Sequence, residues 1–285
     1  MGSTNLLTVI MPIALSIIML GLGLSLTVTD FQRVVKFPKA VFIGLFCQMI
    51  ILPVVCLGIT KIFGLGPELA IGLMILSASP GGPTANLYSH LAKGDVALNI
   101  TLTAINSVLT LLTLPLILGW SLQVFGKAGE IFMPLHKIVE VFLIILIPVT
   151  LGMLINAKAH MFSKKMEKPV KILSALFLVL VIVGAVMKEK ENIGTYFQQV
   201  GLAALFFNVI SMSVGFFIPM LFKVERKQAI AIGMEIGIHN GTLAIFIALN
   251  VLNNSAMSIP PAIYSLIMFF TAAIFGFLVN LRKTT

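Results

Sequence analysis

Nine apolar segments, each about twenty residues long or longer, recur along the whole chain of 285 residues. A helix of about twenty apolar residues is long enough to cross the hydrocarbon core of a bilayer. Charged residues make up only 10% of the chain, whereas soluble domains carry about a quarter. The sequence therefore predicts an all-α, polytopic membrane protein. Its predicted transmembrane segments are residues 5–27, 39–63, 67–91, 95–124, 133–156, 168–188, 193–222, 227–252 and 260–281.

Positive charge is unequally divided between the two sets of loops that separate these segments. With the N-terminus outside, one set contains fourteen of the nineteen Lys and Arg residues. Cytoplasmic loops are enriched in Lys and Arg, so we expect a cell-membrane protein with its N-terminus outside and its C-terminus in the cytoplasm. The same rule explains the cluster of Lys164, Lys165, Lys168 and Lys171, with anionic-lipid binding as the lesser interpretation. The net charge of +9 therefore indicates orientation in a lipid bilayer and no nucleic-acid partner.

An acidic residue, Glu235, lies near the middle of the eighth segment. An ionisable side chain at membrane depth is costly and is usually functional. Gly237 and Gly241 bracket the polar sequence Ile-His-Asn, which predicts a break in the helix. Backbone groups freed by such a break are tolerated only where they line a cavity or bind a ligand. We expect a cation site at Glu235; a structural acid paired with Lys and an acid that relays H⁺ are the alternatives.

A second break is predicted in the third segment, where Ser77-Ala-Ser-Pro-Gly-Gly-Pro-Thr-Ala-Asn86 interrupts the apolar run. A broken helix followed by a final helix thus ends segments 1–4 and also segments 5–9. If the first unit lacks its leading helix, the units match as inverted repeats of about residues 1–126 and 127–285, within one transporter domain of residues 1–285. Interrupted helices at corresponding positions of inverted halves indicate a transport site near the bilayer midplane.

The N-terminal ends of broken half-helices present free N–H groups and a partial positive charge, which favours an anionic substrate group. Four polar residues at or just after the breaks are candidates for orienting that substrate: Thr84, Asn86, Asn240 and Thr242.

One face of the fourth segment is polar. It contains Asn99, Thr103, Asn106 and Thr110, at spacings of 4, 3 and 4 residues. Side chains of this kind form hydrogen bonds between membrane helices. They are also the hard oxygen donors that a cation such as Na⁺ prefers. We expect part of this face to supply ligands to a cation bound by the acid of the eighth segment.

Two stretches, Ala78–Asn99 (ASPGGPTANLYSHLAKGDVALN) and Glu235–Asn240 (EIGIHN), resemble the bile acid:sodium symporter family. The similarity covers nearly the whole chain, including Phe37–Lys39 and the pair Gln48 and Pro53. The resemblance implies nine or ten spans in inverted five-helix repeats, of which this chain has the nine-span form without the first helix. It also implies two crossed broken helices within a core domain that moves against a panel domain. The implied activity is symport of an organic anion with two Na⁺ by alternating access.

Carried over by position, the resemblance implies a first Na⁺ position formed by Asn86, Asn99, Thr103 and Glu235. It implies a second position formed by Gln48, Glu235, His239 and backbone carbonyls near Ile236 and Ile238. Asn240 would line the substrate cavity. The chain departs from the family pattern at three positions, with Ala85 where Ser is common, Asn99 in place of Ser and His239 in place of Gln. A ring nitrogen is a poorer Na⁺ ligand than an amide oxygen, so the number of bound Na⁺ ions, one or two, remains open.

The sequence thus predicts a sodium-coupled secondary active symporter, acting as a monomer, that imports an organic anion of bile acid-like, pantoate-like or similar type. We expect no enzyme and no transition metal, because a nucleophile triad, a phosphate loop and a Cys/His metal set are missing from the sequence. The alternatives are a proton-coupled transporter using Glu235 and His239, and a non-transporting membrane sensor.

Overall fold

The computed structural model describes residues 6–82, 84–126, 135–188 and 191–281. Pro83 of the first predicted break and residue 127, where the second predicted repeat begins, lie outside the described residues. Within the described ranges, the regular secondary structure is helical, which confirms the all-α prediction.

The α-helices of the described residues lie close to the predicted segments. In chain order they are α1 (Leu6–Ser25), α2 (Val28–Gln32), α3 (Pro38–Phe46), α4 (Leu52–Ile62), α5 (Pro67–Ala78), α6 (Ala85–Leu91), α7 (Val96–Val124), α8 (Leu135–Lys158), α9 (His160–Lys188), α10 (Ile193–Leu221), α11 (Arg226–Gly237), α12 (Gly241–Phe246) and α13 (Ile259–Leu281). A π-helical turn, Cys47–Ile51, joins α3 to α4, and a second, Ile247–Val251, extends α12. Two 3₁₀ turns are Arg33–Val35 and Ala256–Ser258.

Several of these helices are long and apolar enough to cross a membrane. By length and composition, the described residues contain five such helices, or up to six if one bent pair counts as a single span. The five are Pro38–Ile62, Val96–Val124, Val139–Lys158, Ile193–Leu221 and Ala256–Leu281. The bent pair, Met11–Ser25 with Val28–Val35, turns through 73°. This agrees with a polytopic membrane protein, and the number of nine crossings stays a prediction.

The described helices form two packing groups. In the first group, α1 packs against α8 and α9. Glycines allow the close approach of α1 and α8: a Cβ on Gly23 would lie 2.2 Å from the carbonyl oxygen of Val149, and one on Gly152 would lie 2.5 Å from that of Leu20. In the second group, α11 packs against α6, α7 and α10, and α13 packs against α5 and α10. Small residues at such contacts are typical of membrane helix packing.

Both predicted breaks are present, and their backbones pair with each other. Gly81 and His239 form an antiparallel bridge. The Gly82 N–H donates to the carbonyl oxygen of Ile238 at 2.7 Å, and the Asn240 N–H donates to that of Pro80 at 2.9 Å. Backbone groups at membrane depth cannot form hydrogen bonds with lipid, so they need protein, a ligand or the water of a cavity as partners. Each break therefore satisfies part of the other's hydrogen-bonding need.

Candidate cation and substrate site

The carboxylate of Glu235 lies at the end of α11, next to the paired breaks, and the residue is fully buried. Thr103 Oγ1 donates a hydrogen bond to Oε2 at 2.6 Å, and Asn106 Nδ2 donates to Oε1 at 3.3 Å. A Cβ on Gly81 would lie only 2.3 Å from the carboxylate carbon, so this position requires glycine. No ion pair between Glu235 and a Lys or Arg occurs among the described residues. A buried carboxylate with only neutral donors is suited to a bound cation.

Helix α7 presents its polar face to this carboxylate. Asn99, Thr103 and Asn106 are each fully buried. Thr103 Oγ1 also contacts the Asn99 carbonyl oxygen at 3.0 Å, which is the usual local hydrogen bond of a helical Thr. Asn99 Nδ2 donates to the carbonyl oxygen of Ala231 at 2.7 Å, one turn before Glu235 on α11. These contacts fix the register between α7 and α11.

Several buried amide oxygens near the breaks have no hydrogen-bond partner within the part of the chain that the structure describes. They are Gln48 Oε1, Asn86 Oδ1, Asn99 Oδ1 and Asn106 Oδ1. For Gln48, Asn99 and Asn106, the NH₂ group of the same amide donates to a protein oxygen. An unsatisfied buried polar atom costs about 1–3 kcal/mol, so its presence needs an explanation. Open amide oxygens, a hydroxyl and a carboxylate are the donor set of a hard cation such as Na⁺, and the residues present fit that ion.

Side chains that commonly bind transition metals are dispersed in the described part of the chain. The described residues contain no group of three or more His, Cys, Asp or Glu side chains that could hold a metal ion. The two cysteines, Cys47 and Cys56, are free and buried.

Two of the three side chains implied for the second Na⁺ position, Gln48 and His239, meet at one backbone carbonyl. Gln48, in the first π-helical turn, donates from Nε2 to the Ser79 carbonyl oxygen at 2.8 Å. His239 Nδ1 lies 3.4 Å from the same oxygen, and its buried Nε2 has no hydrogen-bond partner among the described residues. The His239 ring is stacked on Phe207, with centroids 5.8 Å apart and planes inclined by 7°. The imidazole is therefore held in place, and it offers a nitrogen where an amide would offer an oxygen.

The carbonyl groups implied for that position differ in their contacts. The carbonyl of Ile238 accepts the Gly82 N–H, and Ile236 is fully buried in the last turn of α11. Between them, the Gly237 carbonyl accepts from Asn208 Nδ2 at 2.8 Å and from the Tyr264 hydroxyl at 2.9 Å. Carbonyls at the end of a helix lack intrahelical partners, so those of Ile236 and Ile238 remain candidates for a ligand.

Next to the paired breaks lies a cavity of about 490 Å³, here called the crossover cavity. Three of the predicted substrate residues line it: Thr84, Asn240 and Thr242. Asn240 Oδ1 accepts the Leu243 N–H at 3.0 Å and thereby caps a helix that runs from Gly241 to Val251. The opposite walls belong to α1 and α9. The cavity therefore lies between the two packing groups of the fold.

Asn86 lines a different cavity of about 430 Å³, here called the mouth cavity, which is bounded by α1, α6, α7, α8 and α9. Among the described residues, no hydrogen bond joins Asn86 to Glu235, so its role as a ligand stays a prediction. The structure instead brings Asn106 to the carboxylate. Asn106 belongs to the predicted polar face of α7 but was not among the predicted Na⁺ ligands. Its spacing of three residues from Thr103 places it on the same helix face, and this spacing could have indicated its contact with Glu235.

Known proteins resemble this chain over most of its length. Residues 12–196 match the sequence profile of the Sodium Bile acid symporter family. The chain belongs to this family. Membership places it among membrane transporters, as predicted, and not among enzymes. The family match ends before Glu235, but the alignments with individual relatives cover more of the chain.

Three relatives illustrate that coverage. The uncharacterized sodium-dependent transporter YocS of Bacillus subtilis is 30% identical over 257 residues, which are 89% of this chain and 77% of the relative. The ileal sodium/bile acid cotransporter of Oryctolagus cuniculus is 26% identical over 97% of this chain and 81% of its own. The probable chloroplastic sodium/metabolite cotransporter BASS1 of Arabidopsis thaliana is 26% identical over 89% of this chain and 62% of its own.

Proposed function

We propose that the protein is a sodium-coupled secondary active symporter that imports an organic anion by alternating access. The relatives' names support sodium coupling. The observation on which the proposal depends is the set of buried amide oxygens without partners, three of which belong to amides whose NH₂ groups are engaged. Such amides accept a ligand without reorganising, and a cation supplies the missing positive charge beside Glu235.

The proposed first Na⁺ position uses Asn86, Asn99, Thr103 and Glu235. The proposed second position uses Gln48, Glu235, His239 and the carbonyls of Ile236 and Ile238. The first is the stronger site because all of its donors are oxygens, whereas the second includes an imidazole. The number of ions per cycle is one or two.

Cation binding and substrate binding are coupled because the cation site and the crossover cavity both involve the paired breaks. Gly82, His239 and Asn240 line the crossover cavity, and all three belong to the paired breaks. Glu235 lies against Gly81 in the same pairing. A cation held by Glu235 and the amide oxygens therefore stabilises the arrangement of the breaks that shapes the cavity. By reciprocity, a substrate that favours this arrangement raises the affinity for the cation.

The two packing groups support alternating access. The group of α1, α8 and α9 corresponds to the proposed panel domain, and the helices around the breaks correspond to the core domain. In the proposed topology, nine segments in two inverted repeats cross the cell membrane, the first repeat lacks its leading helix, and the N-terminus lies outside. Because the crossover cavity lies between the groups, their relative movement would open it to one side or the other.

Uptake into proteoliposomes tests this function. Organic anions are offered under an inward Na⁺ gradient, under a pH gradient and under neither, with Glu235→Ala as the inactive control. We expect uptake that follows Na⁺ and is absent in the variant. Uptake that follows only the pH gradient would show that the coupling ion is H⁺, relayed through Glu235 and His239, and not Na⁺. Absence of flux, with Na⁺-dependent ligand binding retained, would favour a sensor.

A further inference from the structure

An apolar groove of about 660 Å³, here called the α10–α13 groove, lies between helices α10 and α13. Its wall on α10 extends from Leu205 to Phe217, and its wall on α13 extends from Thr271 to Leu281. The twelve helical steps from Leu205 to Phe217 rise by about 18 Å. One leaflet of a bilayer contributes about 15 Å of hydrocarbon, half of the 30 Å core. The groove is therefore as long as the acyl chain of a lipid, and exposed side chains such as Phe217 and Ile274 place it on the outer surface of the protein.

A second cavity, here called the basic pocket, lies at the start of α11 and has a volume of about 310 Å³. Three of its lining side chains are cationic: Lys93, Arg226 and Lys227. Glu225 is the one acidic side chain in the lining, and no ion pair joins it to these cations in the described part of the chain. The carboxylate of Asp95, whose N–H donates to the Lys227 carbonyl, accepts the Leu98 N–H at the start of α7. Three positive charges and one negative charge leave the described lining with a net charge of +2, which favours an anionic ligand.

The α10–α13 groove and the basic pocket meet at Arg226. Both cavities include Arg226 and Val279 in their walls. The guanidinium donates from Nη2 to the Val279 carbonyl oxygen at 2.6 Å, and its Cζ lies 5.4 Å from the ring centroid of Phe216, which lines the groove. An Arg side chain presents five N–H donors in a planar fork that matches the oxygens of a phosphate group. Arg226 is therefore held in place at the junction between an apolar cavity and a cationic one.

The combination of the two cavities selects one kind of ligand. A water-soluble anion would contact the basic pocket but not the apolar groove. A lipid without net charge would fill the groove and leave the cationic pocket unused. An anionic phospholipid uses both. In the predicted orientation, Lys93 and Lys227 lie on the cytoplasmic side, where basic pockets between membrane helices bind anionic head groups.

We propose that the α10–α13 groove and the basic pocket together bind one anionic phospholipid. Its acyl chain lies along α10 and α13, and its phosphate group contacts Arg226, with Lys93 and Lys227 beside the head group. The lipid then bridges α10, α11 and α13, which pack together in the second packing group, and stabilises their arrangement. This site requires only that the chain lies in a bilayer, and it goes beyond the cation and substrate sites of the proposed function.

Native mass spectrometry of the full chain in detergent tests the site with two lipids that have the same acyl chains, dioleoyl phosphatidylglycerol and the zwitterionic dioleoyl phosphatidylcholine. We expect phosphatidylglycerol to bind about tenfold more tightly. Lys227→Gln should weaken phosphatidylglycerol binding about fivefold, the effect of one Lys near an anionic lipid, and leave phosphatidylcholine binding unchanged. Glu225→Gln should strengthen phosphatidylglycerol binding by about twofold to fivefold, because it removes the acidic side chain of the pocket. Lys158→Gln is the matched control with no expected effect, since Lys158 is exposed and lines neither cavity.

Glu225 and Lys227 are exposed, so neither substitution should unfold the protein. Equal phosphatidylglycerol affinity in Lys227→Gln and Lys158→Gln would overturn the site, and so would equal affinity of the wild-type protein for the two lipids. Displacement of phosphatidylglycerol by an equal concentration of glycerol phosphate, which lacks acyl chains, would overturn the role of the groove. These measurements use neither Na⁺ nor a transported anion, so the lipid site and the proposed function can fail independently of each other.

Discussion

Replacing Glu235 by Gln should raise thermal stability in the absence of Na⁺ and remove most of the stabilisation that Na⁺ gives. The wild-type carboxylate is fully buried and has no Lys or Arg partner among the described residues. Without Na⁺, an ionised carboxylate there is destabilising, so the neutral amide should stabilise the fold by about 1–3 kcal/mol. The amide keeps the shape of the side chain and retains an oxygen that accepts from Thr103. In Na⁺-free buffer we therefore expect the variant to melt at the higher temperature.

Sodium should stabilise the wild-type protein much more than the variant. A ligand present at about one hundred times its Kd stabilises the folded state by about 2.7 kcal/mol. For a chain of 285 residues, this corresponds to a rise in Tm of about 4–5 °C. Without the carboxylate, the cation loses the one negatively charged group proposed as its ligand, and the variant should show a rise in Tm of less than about 1 °C. The difference in Tm between the two proteins should therefore shift by about 3–5 °C in favour of the wild type as Na⁺ replaces choline.

The fluorescence of Trp120, the single tryptophan of the chain, reports unfolding in detergent. Glu140→Gln is the control, because Glu140 is a half-exposed carboxylate paired with Lys137 at 2.7 Å, away from the breaks. Its Na⁺ response should match that of the wild-type protein. An equal Na⁺-induced rise in Glu235→Gln and wild type would refute the assignment of Glu235 as a cation ligand.

Three further changes test neighbouring features. Asn106→Ala should weaken Na⁺ binding about tenfold, as measured by a Na⁺ titration of Tm. The substitution removes both an open oxygen and a hydrogen-bond donor to the carboxylate of Glu235. Thr110→Val is the control and should leave Na⁺ binding unchanged, because Thr110 contacts the Ala78 carbonyl instead. His239→Gln should strengthen Na⁺ binding at the second position by supplying an amide oxygen, so the half-saturating Na⁺ concentration in uptake should fall. An unchanged concentration would count against a second position there. Gly81→Ala should destabilise the fold by about 1–3 kcal/mol in thermal melts, because the new Cβ would overlap the carboxylate of Glu235. Gly119→Ala is the control and should be neutral or stabilising, because a Cβ at Gly119 meets open space.

The breaks and the acid could be predicted because each interrupts an apolar run with residues that a membrane helix rarely contains. Pro80, Gly81 and Glu235 are signals of this kind. Their pairing across the fold could not be derived from the residues alone, because the bonds join main-chain atoms that every residue except proline possesses alike.

Rotation of helices about their axes was the main information that the sequence lacked. Spacing placed Asn106 and Thr110 on one polar face, but it could not separate the contact of Asn106 with Glu235 from that of Thr110 with the Ala78 carbonyl. Counting loop charges likewise does not predict that Lys168 lines the crossover cavity. The π-helical turn at Cys47–Ile51, which positions Gln48, shows no distinguishing pattern in sequence.

The pairing of the two breaks also constrains how the protein is made. Gly82 finds its hydrogen-bond acceptor in Ile238, which the ribosome adds about 150 residues later. At about 5–20 residues per second, that interval lasts roughly 8–30 s. Throughout it, the first break has unpaired backbone groups at the depth of the bilayer, where each costs several kcal/mol. The membrane-insertion machinery must therefore hold the first half of the chain near water or protein until the second half arrives.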